Sequence, residues 1–130
     1  MKIAAIEKKL KKDIPITKHL QFSLLKLNEK ECILSSKLKA NINHKGTAFG
    51  GSQFSLCAVA AYAYVLKWLA QNKIETENIV IAEGNIRYRM PVAHDFKVIA
   101  NLSAEIIFQE IADGKKRIIF PIICYVVDKK

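Results

Sequence analysis

Asn41-Ile42-Asn43-His44-Lys45-Gly46-Thr47-Ala48-Phe49-Gly50-Gly51-Ser52 runs directly into Gln53-Phe54-Ser55-Leu56-Cys57-Ala58-Val59-Ala60-Ala61-Tyr62-Ala63-Tyr64-Val65-Leu66, and no charged side chain stands between Lys45 and Lys67. A polar loop tips straight into an apolar helix. Asn43, Thr47 and Ser52 are cap or turn formers, and Gly46, Gly50 and Gly51 lack the Cβ that would hold another group away from the backbone. Two readings fit. The glycines serve a tight turn and close packing, or they leave the first-turn N–H groups, which have no partner inside a helix, open to an oxygen gaining negative charge.

The helix is expected over residues 49–72, with Asn72-Lys73 as its exit. It is apolar nearly all round, and Ala58, Ala60, Ala61 and Ala63 let other elements come close, so it has to be enclosed. A sheet wrapped around it would enclose it. Upstream, Ile3, Ile6 and Leu10 fall at helical spacing with lysines opposite, which predicts an amphipathic helix up to Lys12. Pro15 opens a short second helix to about Leu20, and His19 there reads as surface or packing. Residues 21–28 and 31–38 form a hairpin about Asn28-Glu29-Lys30.

Downstream, residues 78–90 alternate. Val80, Ala82, Gly84, Ile86, Tyr88 and Met90 share one face, and Ile79, Ile81, Glu83, Asn85, Arg87 and Arg89 the other. The first set is expected on the helix, where Gly84 allows close backbone approach or marks a bulge. Residues 95–102 form the next strand, with Phe96, Val98, Ala100 and Leu102 inward. Residues 103–112 fit a helix capped by Ser103 or a strand extension; the helix is the expectation, followed by a turn at Asp113-Gly114. Residues 117–127 are apolar on both faces, so they are expected to be central or covered at a subunit contact, with Pro121 marking a bulge or an edge.

At 130 residues and 51% hydrophobic content the chain is expected to be one domain, 1–130, with a sizeable core. Cys32, Cys57 and Cys124 are odd in number and widely spaced, which fits neither a disulfide framework nor a zinc site, so they read as reduced thiols in a cytoplasmic protein. No metal or cofactor is called for. The apolar part of the N-terminus is too short for a signal peptide, and residues 50–66 are short of the ~20 needed to span a bilayer, so no membrane role is expected. The charge of +9 suits a polyanion, including the phosphates of coenzyme A. Neither zinc-finger spacing nor an aromatic ribonucleoprotein motif accompanies it, so nucleic acid is not the expected partner.

The stretch Asn41 to Ser52 resembles the loop and helix start of hot-dog-fold thioesterases, and the YiiD C-terminal thioesterase family in particular. In that family the domain can follow an acetyltransferase; this chain is too short to hold both, so a stand-alone thioesterase domain is expected. The resemblance implies an α+β hot dog, an antiparallel sheet of five or six elements around a long central helix, here with an N-terminal helix. It implies hydrolysis of an acyl-CoA or acyl-carrier-protein thioester, the coenzyme A moiety being part of the substrate. It also implies a homodimer or dimer of dimers, and it favours the helical reading of residues 103–112. The family usually carries a further strand beyond the one ending near Val127.

Thioester hydrolysis needs paired donors to the carbonyl and a base for water. The backbone N–H groups at Gly50 and Gly51 are the candidate donors. Related phenylacetate-type thioesterases carry a carboxylate nine residues past the position of Phe49, where this chain has Ala58. His44 is the imidazole within the loop, and imidazole titrates near neutral pH, so it is the candidate base beside a purely structural reading; Asn43 matches the Asn that orients water or carbonyl. Glu83 is a second carboxylate candidate, on the strand face away from Gly84. Asn41, Gly46, Thr47, Phe49 and Ser52 line the expected substrate site. Arg87 and Arg89 either bind coenzyme A phosphates or pair with Glu83 or Asp95. Cys57 is assigned to the core. A non-catalytic acyl-thioester binding module and a hydratase or dehydratase using His44 are the alternative functions.

Overall fold

The computed structural model describes residues 2–129. Helix α1, Ile3–Asp13, buries Ile6 and Leu10 and ties its outer side with Lys9–Asp13 (2.7 Å) and Lys11–Glu7 (3.2 Å) pairs one turn apart. Pro15 opens a single 3₁₀ turn, Pro15–His19. Strands β1, Phe22–Leu27, and β2, Glu31–Ser36, form the expected hairpin, closed by Asn28 Oδ1 accepting from Lys30 N and Glu31 N. The register slips between Leu24 and Lys26, so Leu25 bulges out, and the Glu7 carboxylate accepts from Leu24 N at 2.7 Å.

Helix α2, Gly50–Gln71, follows the loop and is succeeded by β3 (Phe96–Leu102), β4 (Ile107–Glu110), β5 (Lys116–Ile119) and β6 (Ile122–Asp128). One antiparallel sheet runs β1-β2-β3-β6, and β4 and β5 pair separately. Rows of facing residues cross the sheet toward α2: Leu34, Val98 and Val126 in one, Cys32, Ala100 and Cys124 in the next. Leu56, Val59, Ala60, Ala63 and Leu69 of α2 are buried in the same core cluster as Phe22, Leu34, Phe96 and Val98. Among the described residues α2 is long and apolar enough to cross a membrane by length and composition, but its buried face makes it the core helix of this sheet. The helix is covered unevenly. Phe54, Cys57, Ala58 and Ala61, spaced i, i+3, i+4 and i+7, form a stripe that is half-buried rather than enclosed. An antiparallel sheet on a long helix, with an N-terminal helix beside it, is the α+β architecture expected from the sequence.

Three local expectations are corrected. Residues 78–90 do not form a strand: a strand exists only through its ladder, and this segment has no ladder partner among the described residues. It runs irregularly and mostly exposed, with Val80 at 87% and Met90 at 79%. The expected parity holds only at two points, where Gly84 faces the Phe54 ring and Tyr88 faces Gly50, while Ile79 of the other set packs against the core. Residues 103–112 are not a helix; β4 continues the β3 hairpin, with Ser103 N donating to Pro121 O at 2.9 Å, because pairing with β5 satisfies the backbone that a lone helix turn would leave open. Of the alternatives for residues 117–127, the central strand fails, while the interruption expected at Pro121 is present. Pro121, which has no N–H for a ladder, splits them into β5 and β6, and β6 is an edge whose Ile123, Tyr125 and Val127 point outward.

The Asp113-Gly114 turn is present, both residues having positive φ, as hairpin turns of this chemistry require. Asp95 ties β3 to the chain before the loop: its Oδ1 accepts from Leu38 N at 2.9 Å, and Lys37 lies 3.5 Å from Oδ2. The Leu38 N–H chiefly, helped by Lys37 and Lys129, holds the Asp95 carboxyl below its ordinary value of 3.8. A depressed folded pKa gives stability that is present above 3.8 and lost as pH falls through the folded value. In thermal melts across the acid range, Asp95→Asn is therefore expected to sit closer to wild type as pH falls through that window; a constant gap would refute the linkage.

Candidate active site at the start of the central helix

The loop before α2 is fastened at both ends. Asn41 is 2% exposed, and its Nδ2 donates to Leu20 O (2.9 Å), Ser36 Oγ (3.0 Å) and Lys37 O (2.8 Å). Its backbone carbonyl accepts from Phe49 N at 2.7 Å, while Ala48 N donates to Val92 O at 2.8 Å. Ile42 and Ala48 bridge antiparallel between these anchors. Asn41 Oδ1 is left buried without a hydrogen-bond partner.

Inside the loop, Asn43 organises the turn. Its Oδ1 accepts from Lys45 N (2.9 Å), Thr47 N (3.0 Å) and Thr47 Oγ1 (3.2 Å), and its backbone N–H donates to Thr47 O at 2.7 Å. This is Asx-turn chemistry, and Gly46 completes it at φ +79° with no crowding of its open side. His44 is exposed at the tip of the turn, and no hydrogen bond or ion pair reaches its ring among the described residues.

The helix start is uncapped. Phe49 occupies the capping position and has no side-chain acceptor to offer, so the N–H groups of Gly50, Gly51 and Ser52 meet no protein acceptor among the described residues; the first helical bond is Gln53 N to Phe49 O at 3.1 Å. Gln53 Nε2 turns back to Ala48 O at 3.0 Å, which fixes the entry angle of the helix. Two aromatic rings flank the donors. A Cβ at Gly51 would come within 2.6 Å of the Phe49 ring, and one at Gly50 within 3.1 Å of the Tyr88 ring, whose hydroxyl donates to Gly50 O at 2.7 Å. Phe49 is 56% and Tyr88 52% exposed, so the rings wall the site without closing it.

The structure thus brings Asn43, Thr47, Phe49, Gly50, Gly51 and Ser52 to one loop and helix start, with Asn41 beneath and His44 and Gly46 at the outer turn. Arg87 and Arg89 flank Tyr88 in the chain, both exposed, and neither makes an ion pair among the described residues; Asp95 pairs with Lys37 instead. Glu83 is likewise exposed and unpaired there. Tyr88 is the residue that sequence reasoning passed over. It shared a face with Gly84, which pointed it at the helix, but nothing in the sequence tied its hydroxyl to Gly50. An open depression of about 660 Å³ is lined by Leu38, Lys39, Ile42, His94, Asp95 and Lys129, none of them at the helix start. Among the described residues no group of three or more ligands is placed to hold a metal.

An antiparallel sheet laid on a long buried helix, with a polar loop leading into the helix start, defines a hot-dog-fold protein. The chain belongs to the family described as "Putative thioesterase (yiiD_Cterm)", whose model matches residues 3–120. A structure described as the "putative thioesterase from Shewanella oneidensis" is similar at TM-score 0.74 and 22% identity, covering 97% of this chain and 96% of that one. A protein of unknown function from Chlorobaculum tepidum aligns at TM-score 0.72 and 27% identity over 78% of this chain and 62% of its own length. Thioesterase superfamily member 2 from Mus musculus aligns at 0.68 and 16%, covering 98% and 85%. No curated protein matches the sequence.

Asn41→Ala is expected to lower stability in urea unfolding by about 1–3 kcal/mol, because it strips the donor from the Lys37 carbonyl and opens a buried void. Asn43→Ala, acting on a partly exposed turn, is expected to cost less, about 1 kcal/mol. The reverse order would mean that Asn41 does not anchor the loop.

Proposed function

We propose that this protein hydrolyses acyl thioesters of coenzyme A or of an acyl-carrier protein. The observation that carries the reading is the uncapped start of α2, where the Gly50, Gly51 and Ser52 N–H groups have no acceptor and the helix dipole favours negative charge. A thioester carbonyl seated there gains donors in the position where a tetrahedral oxyanion forms. The half-buried stripe of Phe54, Cys57, Ala58 and Ala61 offers an apolar wall to the acyl chain, and Phe49 and Tyr88 flank the thioester between them. Arg87 and Arg89, exposed and without ion pairs in the chain, suit the phosphates of coenzyme A. His44 is the base in this reading, drawing a proton from water that adds to the carbonyl; the thiolate leaves and takes up a proton.

One observation favours a second reading. Helix α2 carries no acidic residue anywhere along its length, and Ala58 stands where related thioesterases hold their carboxylate, so a module that binds acyl thioesters without turning them over is the alternative. Free-thiol release from a panel of acyl-CoAs and acyl-carrier proteins decides between them: turnover is expected, saturable binding without turnover would establish the binding module, and a change in double-bond absorbance would indicate hydratase chemistry. His44→Ala is expected to cut turnover ~10²- to 10⁴-fold with little change in affinity. An unchanged rate in a folded variant would move the base elsewhere, with Glu83 next.

The active form in this reading is at least a homodimer, as a pair or a dimer of pairs, in a reducing cytosol. Residues 78–90 lie mostly exposed with no ladder partner among the described residues, and β6 presents a bare edge and the outward side chains of Ile123, Tyr125 and Val127. Light scattering at micromolar concentration should give twice the chain mass or more. A monomer would count against the assembly.

A further inference from the structure

The three cysteines, far apart in sequence, converge in one layer of the fold. Cys32 on β2 and Cys124 on β6 both pair with Ala100 of β3, one on each side, in a row facing α2. Cys57 of α2 sits over the Cys124 end of that row, where the Cys124 thiol donates to the Cys57 carbonyl oxygen at 3.6 Å. Cys32 is separated from Cys124 by a whole strand, so their backbones stand about 9–10 Å apart, beyond the ~7 Å that a disulfide spans. Cys57 and Cys124 are both half-buried, at the open flank of the helix, whereas Cys32 is fully buried.

We propose that Cys57 and Cys124 form a peroxide-reactive thiol pair, a modification site that closes to an intramolecular disulfide between α2 and edge strand β6. The neighbouring Cys57 holds the Cys124 thiol below its ordinary value against the opposing effect of burial, while Cys124 and burial push Cys57 up. We assign the attack to Cys124, whose Sγ already reaches from β6 to the Cys57 backbone at 3.6 Å. Its thiolate attacks one peroxide oxygen, the O–O bond breaks, and hydroxide leaves and is protonated, giving a sulfenic acid and one water. The Cys57 sulfur then loses its proton and attacks the Cys124 sulfur, forming the S–S bond and expelling the second oxygen as water. Two thiols and one hydrogen peroxide thus become one disulfide and two waters. Cys32, whose burial pushes it up to about 12, stays a thiol.

The three cysteines fall in different tryptic peptides, residues 31–37, 46–67 and 118–129. The full chain treated with hydrogen peroxide should lose two hydrogens in intact mass, drop from three titratable thiols to one, and yield peptide 46–67 joined to 118–129, all reversed by dithiothreitol. Linkage through peptide 31–37, a bond between two chains, oxygen addition without linkage, or unreacted thiols would each overturn the proposal. In Cys57→Ser the sulfenic acid should persist and be trapped by dimedone on Cys124. Label on Cys32 instead, or on neither, would overturn the assignment of the attacking sulfur.

Discussion

Everything in this fold answers to a helix that cannot be left in water. Over the length of α2 the sequence places a single charge, Lys67, and no acid, so the helix contributes stability only when apolar surface is laid against it. The sheet supplies that surface through small residues: Ala60 and Ala63 on the helix and Ala100 on β3 are fully buried and let the layers close to side-chain contact. Larger groups then fill the flanks. Tyr64 reaches past the core to give its hydroxyl to Glu29 O at 2.9 Å, and Trp68 receives Phe120 edge-on at 5.0 Å between ring centroids. The β4–β5 hairpin is held to the helix through the same indole, with Phe108 6.4 Å away.

The same helix explains why the site stands where it does. Phe49 at the capping position offers no side-chain acceptor and leaves the first donors open. Such an opening is tolerable only if the loop before it cannot collapse onto the donors. Asn41 supplies that restraint from below, Asn43 from within the turn, and Val92 from the segment that leads into β3. The polarity of the loop is therefore spent on holding its shape, and the glycines that follow expose backbone because rings, not side-chain acceptors, surround them.

How much of this could be read beforehand follows from the range of the interactions involved. The helix limits, the first hairpin, the inward face of β3 and the Asp-Gly turn rest on local pattern, and the chain bears them out. The stretch proposed as the site stood out on local pattern as well, because a polar, glycine-bearing loop entering an apolar run is a local signal. What pattern could not supply was pairing. Residues 78–90 have strand alternation but no neighbour within the described chain, and residues 103–112 have a capping serine but also a partner strand across Pro121, which wins. Nor could spacing reveal that Asn43 uses its oxygen on Thr47 and Lys45, that Tyr88 would seat its hydroxyl on Gly50, or that three scattered cysteines share one row. Each of those depends on chain segments brought together from a distance.

The bulge at Leu25 has a bearing on solubility. It twists the β1 edge, and the Glu7 carboxylate occupies the outward Leu24 N–H, so a strand approaching from that side finds its first donor already taken. The opposite edge, β6, has no such guard. The sheet thus has one margin stoppered against a further strand and one left bare.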